Sequence, residues 1–305
     1  MPLADEGKVV IEVGLNETEF KDVNPNIPYG SAEIAASAID AARAGAAIIH
    51  YHARTDAGDQ AFVDDEISRR ALTAIAREVD VLAYPSYREA KLDHVWALSD
   101  RPPEGFAFQF TPFDVVQHVK RASWDESRKE FGVITYGRPG EVPERPPYPP
   151  ELDEFERRGL VPNIAIFDSG DLRWTVLAAR AGVLRQPLNI KLFFSERWIS
   201  MNDPAEEVLD FLVSQIPAGI DYEAIGVPYA MESPERCDEL WNAALARGLG
   251  VRAGIGDCPR AFPDATNADL VRRVVELAAK QGRSPATPDD VRRRCGLPVA
   301  AEVRS

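Results

Sequence analysis

The sequence predicts an α/β fold of the (β/α)8, or TIM barrel, class on three observations. Short apolar runs alternate with amphipathic stretches eight times along the chain, a rhythm that indicates parallel strands joined by right-handed helical crossovers. The length, 305 residues, suits one such barrel. No strand is followed by a Gly-x-Gly-x-x-Gly turn, which argues against the open doubly wound sheet, the main rival.

The elements follow from these patterns in order. Residues 9–15 read as the first strand and residues 31–42 as a helix with Ser31 as its N-cap. The apolar run Ala46-Ala47-Ile48-Ile49 is the second strand and leads straight into His50-Tyr51-His52-Ala53; its unbroken apolarity fits a strand covered on both faces. A helix over 64–79 precedes a third strand at 81–85, and a fourth falls at 106–110. Strands at 160–167, 188–194, 220–227 and 251–255 complete the eight, with helices around 172–181, 205–213, 234–246 and 268–281. Residues 1–305 are thus expected to form a single domain. A rim insertion spans 114–150, ending in a proline-rich stretch, and a helical tail spans 285–305, started by Pro285 and Pro288.

A net charge of −14 excludes the basic surface on which nonspecific nucleic-acid binding depends. No run approaches a membrane span of roughly 18 apolar residues, and the opening Met1-Pro2-Leu3-Ala4 lacks the pattern of a secretory signal. Cys237, Cys258 and Cys295 form no CxxC pair, which suits a reducing cytoplasm.

Barrel chemistry gathers where the strands end. In a strand, residues i and i+2 face the same way, so His50 and His52 share one face, a pairing that suits a divalent metal, zinc first. Arg252, inside the eighth strand, needs a carboxylate or a substrate beside it, and Asp257 just beyond is a candidate that could equally cap the following helix. Glu17 follows the first strand, Arg54 the second, and Ser86 the third. For these three a loop charge, a surface ion pair and an ordinary turn are the competing readings. A metal, carboxylates and arginines on one rim suit enolate or carboxylate chemistry.

With these residues in place, the chain resembles the β-keto acid cleavage enzymes, the family of 3-keto-5-aminohexanoate cleavage enzyme. The likeness rests on Asn24-Pro25-Asn26-Ile27-Pro28-Tyr29, the run from Ala44 through His50-Tyr51-His52-Ala53-Arg54, Leu160-Val161-Pro162-Asn163, Phe167-Asp168-Ser169-Gly170 and Gly282-Arg283-Ser284-Pro285. The resemblance implies a homotetrameric TIM barrel that holds a divalent metal through His50 and His52. It also implies acetyl transfer between a β-keto acid and acetyl-CoA, giving acetoacetate and a new acyl-CoA. Arg252 and Asp257 would be the acid–base pair, Ser86 a substrate-contacting hydroxyl, and Glu17 the residue facing the variable end of the substrate, favouring a cationic or hydroxylated tail.

The chain also departs from that pattern. The family usually carries Gly-x-Glu-Asp after strand eight, and this chain has Gly254-Ile255-Gly256-Asp257. The glutamate of the metal shell is missing, and Glu12 or Asp257 is the expected replacement. Residues 193–199 stand where the family usually has a glycine-rich loop, and strand four lacks Asn-x-Gly, so the acyl-donor side is reshaped. Two alternatives therefore stay open: a metal-dependent lyase or aldolase acting on a keto acid without CoA, and a non-catalytic ligand-binding barrel.

Overall fold

The computed structural model describes residues 1–62, 65–86, 92–114, 122–125, 127–133 and 152–303. Eight parallel strands form one sheet: β1 (Ile11–Gly14), β2 (Ile48–Tyr51), β3 (Leu82–Pro85), β4 (Phe110–Asp114), β5 (Val161–Ile166), β6 (Leu188–Ser195), β7 (Tyr222–Tyr229) and β8 (Gly250–Arg252). Their order is β3-β2-β1-β8-β7-β6-β5-β4, and β3 packs beside β4 at the remaining seam. Among the described residues that last seam has no hydrogen-bonded ladder. The architecture is the expected TIM-barrel-like α/β fold.

Strand alternation sorts the side chains into two cores. Ile11, Val13, Ile49 and Tyr51 point outward and are buried against the helices. Ile48, Tyr84, Phe193 and Val227 belong to a separate inner cluster. Each buried side chain of this size contributes roughly 1.5–3 kcal/mol relative to exposure. The outer ring comprises α1 (Gly30–Ala44), α2 (Asp65–Glu78), α3 (Leu92–Asp100), α4 (Leu152–Arg157), α5 (Ser169–Arg180), α6 (Glu206–Ser214), α7 (Pro234–Ala246) and α8 (Asn267–Lys280).

Several boundaries differ from expectation, each for a local reason. Helix α1 begins at Gly30 with Tyr29 as its cap. The Tyr29 N–H is taken by the Glu33 carboxylate at 2.8 Å, so Ser31 lies inside the helix and is not its N-cap. The fourth strand runs Phe110–Asp114 rather than 106–110. Gly105, with φ of 75°, turns the chain there, and Phe106 and Phe108 pair edge to face at 5.2 Å against the helix-side core. Asp168 caps α5 by accepting from Gly170 and Asp171 at 2.7 and 3.0 Å.

The rim insertion contains an antiparallel hairpin, Ala122–Asp125 with Glu130–Val133; its proline-rich end lies outside the described residues. The tail forms α9 (Pro288–Cys295), capped by Thr287, and α10 (Ala300–Val303). Helix α9 crosses the end of the barrel at which the strands begin. There Arg292 pairs with Asp80 at 2.7 Å and donates to Gln109 at 2.9 Å, and Val291 joins the inner core. Among the described residues no helix is long and apolar enough to cross a membrane, and the three cysteines are buried and unpaired.

Candidate metal centre and active site

At the opposite end, where the strands finish, β1 and β2 run in register with Gly14 beside His50. His50 and His52 are both buried, with ring centroids 5.5 Å apart and nearly perpendicular. Beyond β1 the chain turns through Glu17, which adopts a φ of 35°, a backbone conformation costly for a residue with a Cβ and concentrated at functional sites. That turn carries the Glu17 carboxylate onto both rings. One oxygen lies 3.1 Å from His50 Nε2 and the other 3.1 Å from His52 Nε2.

The surroundings hold this arrangement. Asn16 accepts from the His52 N–H at 2.8 Å and donates to the His52 carbonyl at 3.0 Å. Gln60 donates through Nε2 to the Glu17 carbonyl at 2.8 Å, so its oxygen faces His52 Nδ1 at 3.2 Å. The imidazole therefore donates from Nδ1, an assignment made from the hydrogen-bond network, and its Nε2 faces the carboxylate. Burial, which outweighs the attraction of Glu17, pushes the His50 imidazole down to about 4, so this ring is neutral near pH 7.

Two imidazole nitrogens and a carboxylate that converge at 3.1 Å can share a cation. Bond lengths of roughly 2.0–2.2 Å to zinc set tetrahedral ligand atoms about 3.3 Å apart, close to the spacing observed. Among the described residues Glu17, His50 and His52 form a group whose ligand atoms all lie within 4.8 Å of one another. Two imidazoles and one carboxylate are a fitting donor set for a divalent metal.

Glu12 and Asp257, the expected replacements for the missing glutamate, lie elsewhere. Glu12 Oε1 accepts from Tyr84 Oη at 2.6 Å, from Lys191 Nζ at 2.9 Å and from Arg252 Nη1 at 3.3 Å. Asp257 forms a fork with Arg252, at 3.0 Å to Nε and 2.8 Å to Nη2, and Arg252 Nη2 also meets Glu17. The glycine at 256 has a steric reason: a Cβ there would lie 2.5 Å from Asn16 N and 2.8 Å from Gly14 O. The backbone after β1 occupies the space that a residue at 256 would need.

All five of these ionisable residues are buried, and three carboxylates share two cations. Burial works against the Glu17 charge, but Arg252 and the two histidines outweigh it and hold this carboxyl well below its usual range. Burial together with Glu17 and Glu12 pushes Asp257 up to about 8 against the pull of Arg252. Burial lowers the Lys191 ammonium to about 8, with Glu12 opposing.

Ser86 follows β3, and its N–H donates to the Tyr51 carbonyl at 2.8 Å, which puts it on the same rim. Arg54 is fully buried and is no surface ion-pair member. It donates to the carbonyls of Gly58 and Glu19, with its guanidinium over the rings of Phe20 and Tyr29. The altered stretch at 193–199 builds an aromatic wall: Arg252 sits 5.7 Å over Phe193, and Trp198 packs edge to face on Tyr229 at 5.7 Å. Lys191 and Gln60 escaped the sequence reading. A lysine within the apolar run 188–194 was the available signal for the first; nothing local marked Gln60.

The model of the beta-keto acid cleavage enzyme family matches residues 8–297. The chain belongs to the beta-keto acid cleavage enzyme family. It is 28% identical, over 95% of its length and 98% of the relative's, to a 3-keto-5-aminohexanoate cleavage enzyme of Fusobacterium nucleatum subsp. nucleatum. It is 27% identical to a 3-dehydrocarnitine:acetyl-CoA trimethylamine transferase of Rhizobium meliloti, over 97% of this chain and 99% of that one. Among solved structures, ObcA in ternary complex with a C4-CoA adduct and oxalate aligns with a TM-score of 0.64 at 17% identity, covering 90% of this chain and 68% of that one. That likeness is one of fold. As a member of the family, the chain is an enzyme that cleaves β-keto acids.

Proposed function

We propose that the protein is a metal-dependent β-keto acid cleavage enzyme that moves an acetyl unit between a β-keto acid and acetyl-CoA, releasing acetoacetate and a new acyl-CoA. The observation that carries this reading is the single carboxylate, Glu17, facing both histidine Nε2 atoms at 3.1 Å beside the Arg252–Asp257 pair. Glu17, His50 and His52 would hold the metal, with zinc favoured by the donors. When bound, that metal supplies Lewis acidity toward the ketone and carboxylate oxygens of the substrate.

The remaining chemistry belongs to the chain. Asp257 takes a proton from the carbon between ketone and carboxylate; a group held near 8 is well matched to proton transfer at neutral pH. Arg252 steadies the ionised Asp257 and offers a planar cation to the substrate carboxylate. The carbanion attacks the thioester carbonyl and expels the CoA thiolate. The thiolate then adds to the original ketone, and carbon–carbon cleavage releases acetoacetate as the new thioester forms. Ser86 is the hydroxyl available to the substrate on this rim. Acetyl-CoA use draws support from the name of the Rhizobium meliloti relative. A homotetramer in the cytoplasm completes the reading, and three unpaired cysteines agree with that compartment.

The test combines metal analysis with a substrate screen. The purified chain should hold about one zinc, in line with a single closed donor set, and lose it in Glu17→Gln and in His50→Ala/His52→Ala. Cleavage of β-keto acids should require both the metal and acetyl-CoA. Cleavage without acetyl-CoA would replace the transfer by a lyase reaction, and a protein that takes up no metal on reconstitution would overturn the assignment of the centre.

A further inference from the structure

The interior beneath the candidate site holds a charged cluster with no part in the chemistry above. Glu12 on β1 and Lys191 on β6 are 0% and 1% exposed, and they meet across the barrel at 2.9 Å. Tyr84 joins them: its hydroxyl donates to Glu12 at 2.6 Å and accepts from Lys191. The ammonium sits 4.2 Å from the Tyr84 ring centroid, and that ring lies 4.6 Å from the ring of His50.

A buried carboxylate beside a guanidinium ordinarily pairs with it through both oxygens. Glu12 does not. It offers Arg252 a single oxygen at 3.3 Å, while its Oε2 is buried without a hydrogen-bond partner. Arg252 instead turns its fork to Asp257 at 3.0 and 2.8 Å. Three carboxylates thus meet one guanidinium, and of Glu12 and Asp257 the one already neutralised by Lys191 takes the weaker share.

We infer that Lys191 is a positioning residue for the proposed reaction: by occupying Glu12 it keeps the Arg252 guanidinium on Asp257, at the mouth of the site. This rests on the functional reading above. Removing the ammonium leaves a buried carboxylate short of a countercharge, a strongly unfavourable state. The cation already in contact is Arg252, and the bare Oε2 completes a fork for it. Arg252 then drops toward the barrel interior and Asp257 loses its partner.

The test uses the full chain carrying Lys191→Met, Lys191→Gln and the double variant Glu12→Gln/Lys191→Met. Lys191→Gln keeps a donor for Glu12 and loses only the charge, so it serves if Lys191→Met fails to fold. Crystal structures of the single variants should show Arg252 paired with both Glu12 oxygens and parted from Asp257. Their kcat should fall about 100-fold, the cost of a misplacement near 1 Å, and KM should rise because the guanidinium offered to the substrate carboxylate moves away, while zinc still loads because its three ligands are kept. In the double variant the competing charge is gone, and kcat should recover by at least about tenfold over Lys191→Met. An unmoved Arg252, an undiminished kcat in a folded single variant, or a double variant no better than the single would overturn the inference. If the wild type cleaves no β-keto acid, the crystal structures still decide the positioning, and only the functional reading falls.

Discussion

Gly14→Ala tests the site with one methyl group. A Cβ at Gly14 would lie 2.4 Å from Arg252 Nη2, 2.5 Å from Asp257 Oδ2 and 2.9 Å from Arg252 Nε. Ordinary contact begins near 3.4 Å, so the ion pair must retreat by about 1 Å. The hydrogen bonds of 2.8 and 3.0 Å that join it lengthen or break. Overpacking of this kind costs about 1–3 kcal/mol, which lowers Tm by a few degrees. A misplacement of about 1 Å at reacting groups costs around 100-fold in rate. The expected variant is therefore folded, binds zinc with affinity within about threefold of the parent because ligation is intact, and has lost about two decades of kcat. Thermal melts, zinc titration and the β-keto acid assay read the three quantities. A Gly14→Ala protein with parental kcat would refute the assignment of Arg252 and Asp257 to the reacting centre.

The proposed metal ligands separate cleanly by substitution: Glu17→Gln should weaken zinc binding at least about 100-fold, whereas Glu12→Gln should leave it within about threefold. Gln60→Ala, which frees His52 Nδ1 and the Glu17 carbonyl, should weaken zinc by about 10- to 100-fold, as loss of an outer hydrogen bond does; titration with a competing chelator measures all three. For the metal-free protein the pH dependence has a definite sign. His50, depressed from 6.5 to about 4, binds fewer protons when folded and adds stability as pH rises through that window. Asp257, raised from 3.8 to about 8, binds more protons when folded and withdraws stability as pH rises from about 4 to about 8. The two oppose each other up to 6.5; above it Asp257 dominates, with Lys191 opposing only as pH nears about 8, so Tm should fall between there and about 8. Asp257→Asn should abolish that fall; its persistence would count against the raised carboxyl.

The histidine pair was legible because alternation in a strand is fixed geometry: two residues apart means one face. The Arg252–Asp257 pairing followed from the cost of a buried guanidinium. Glu17 was placed at the variable end of the substrate, and its folding back onto the histidines depends on a positive φ that no residue type at position 17 announces. Its carboxylate faces His50, His52 and Arg252, contacts that the expectation of a cationic or hydroxylated tail did not include. The reasoning that a charge inside a strand needs a partner was sound for Glu12, but the partner is a lysine on β6 with a tyrosine on β3, a juxtaposition across the barrel that local pattern does not encode. The fourth strand slipped because the pattern Phe106 to Phe110 alternates like a strand while its aromatic rings serve the helix layer.

The seam between β1 and β8 also constrains how this chain can change. A Cβ at Gly254 would come within 2.0 Å of Gly14 O, and one at Gly256 within 2.5 Å of Asn16 N; both obstacles are backbone, which no rotamer change relieves. A glutamate restored at 256 would therefore arrive in a space already filled by residues 14–16, the same residues whose path delivers Glu17. A side chain at 256 therefore requires residues 14–16 to move, and with them the turn that brings Glu17 to His50 and His52.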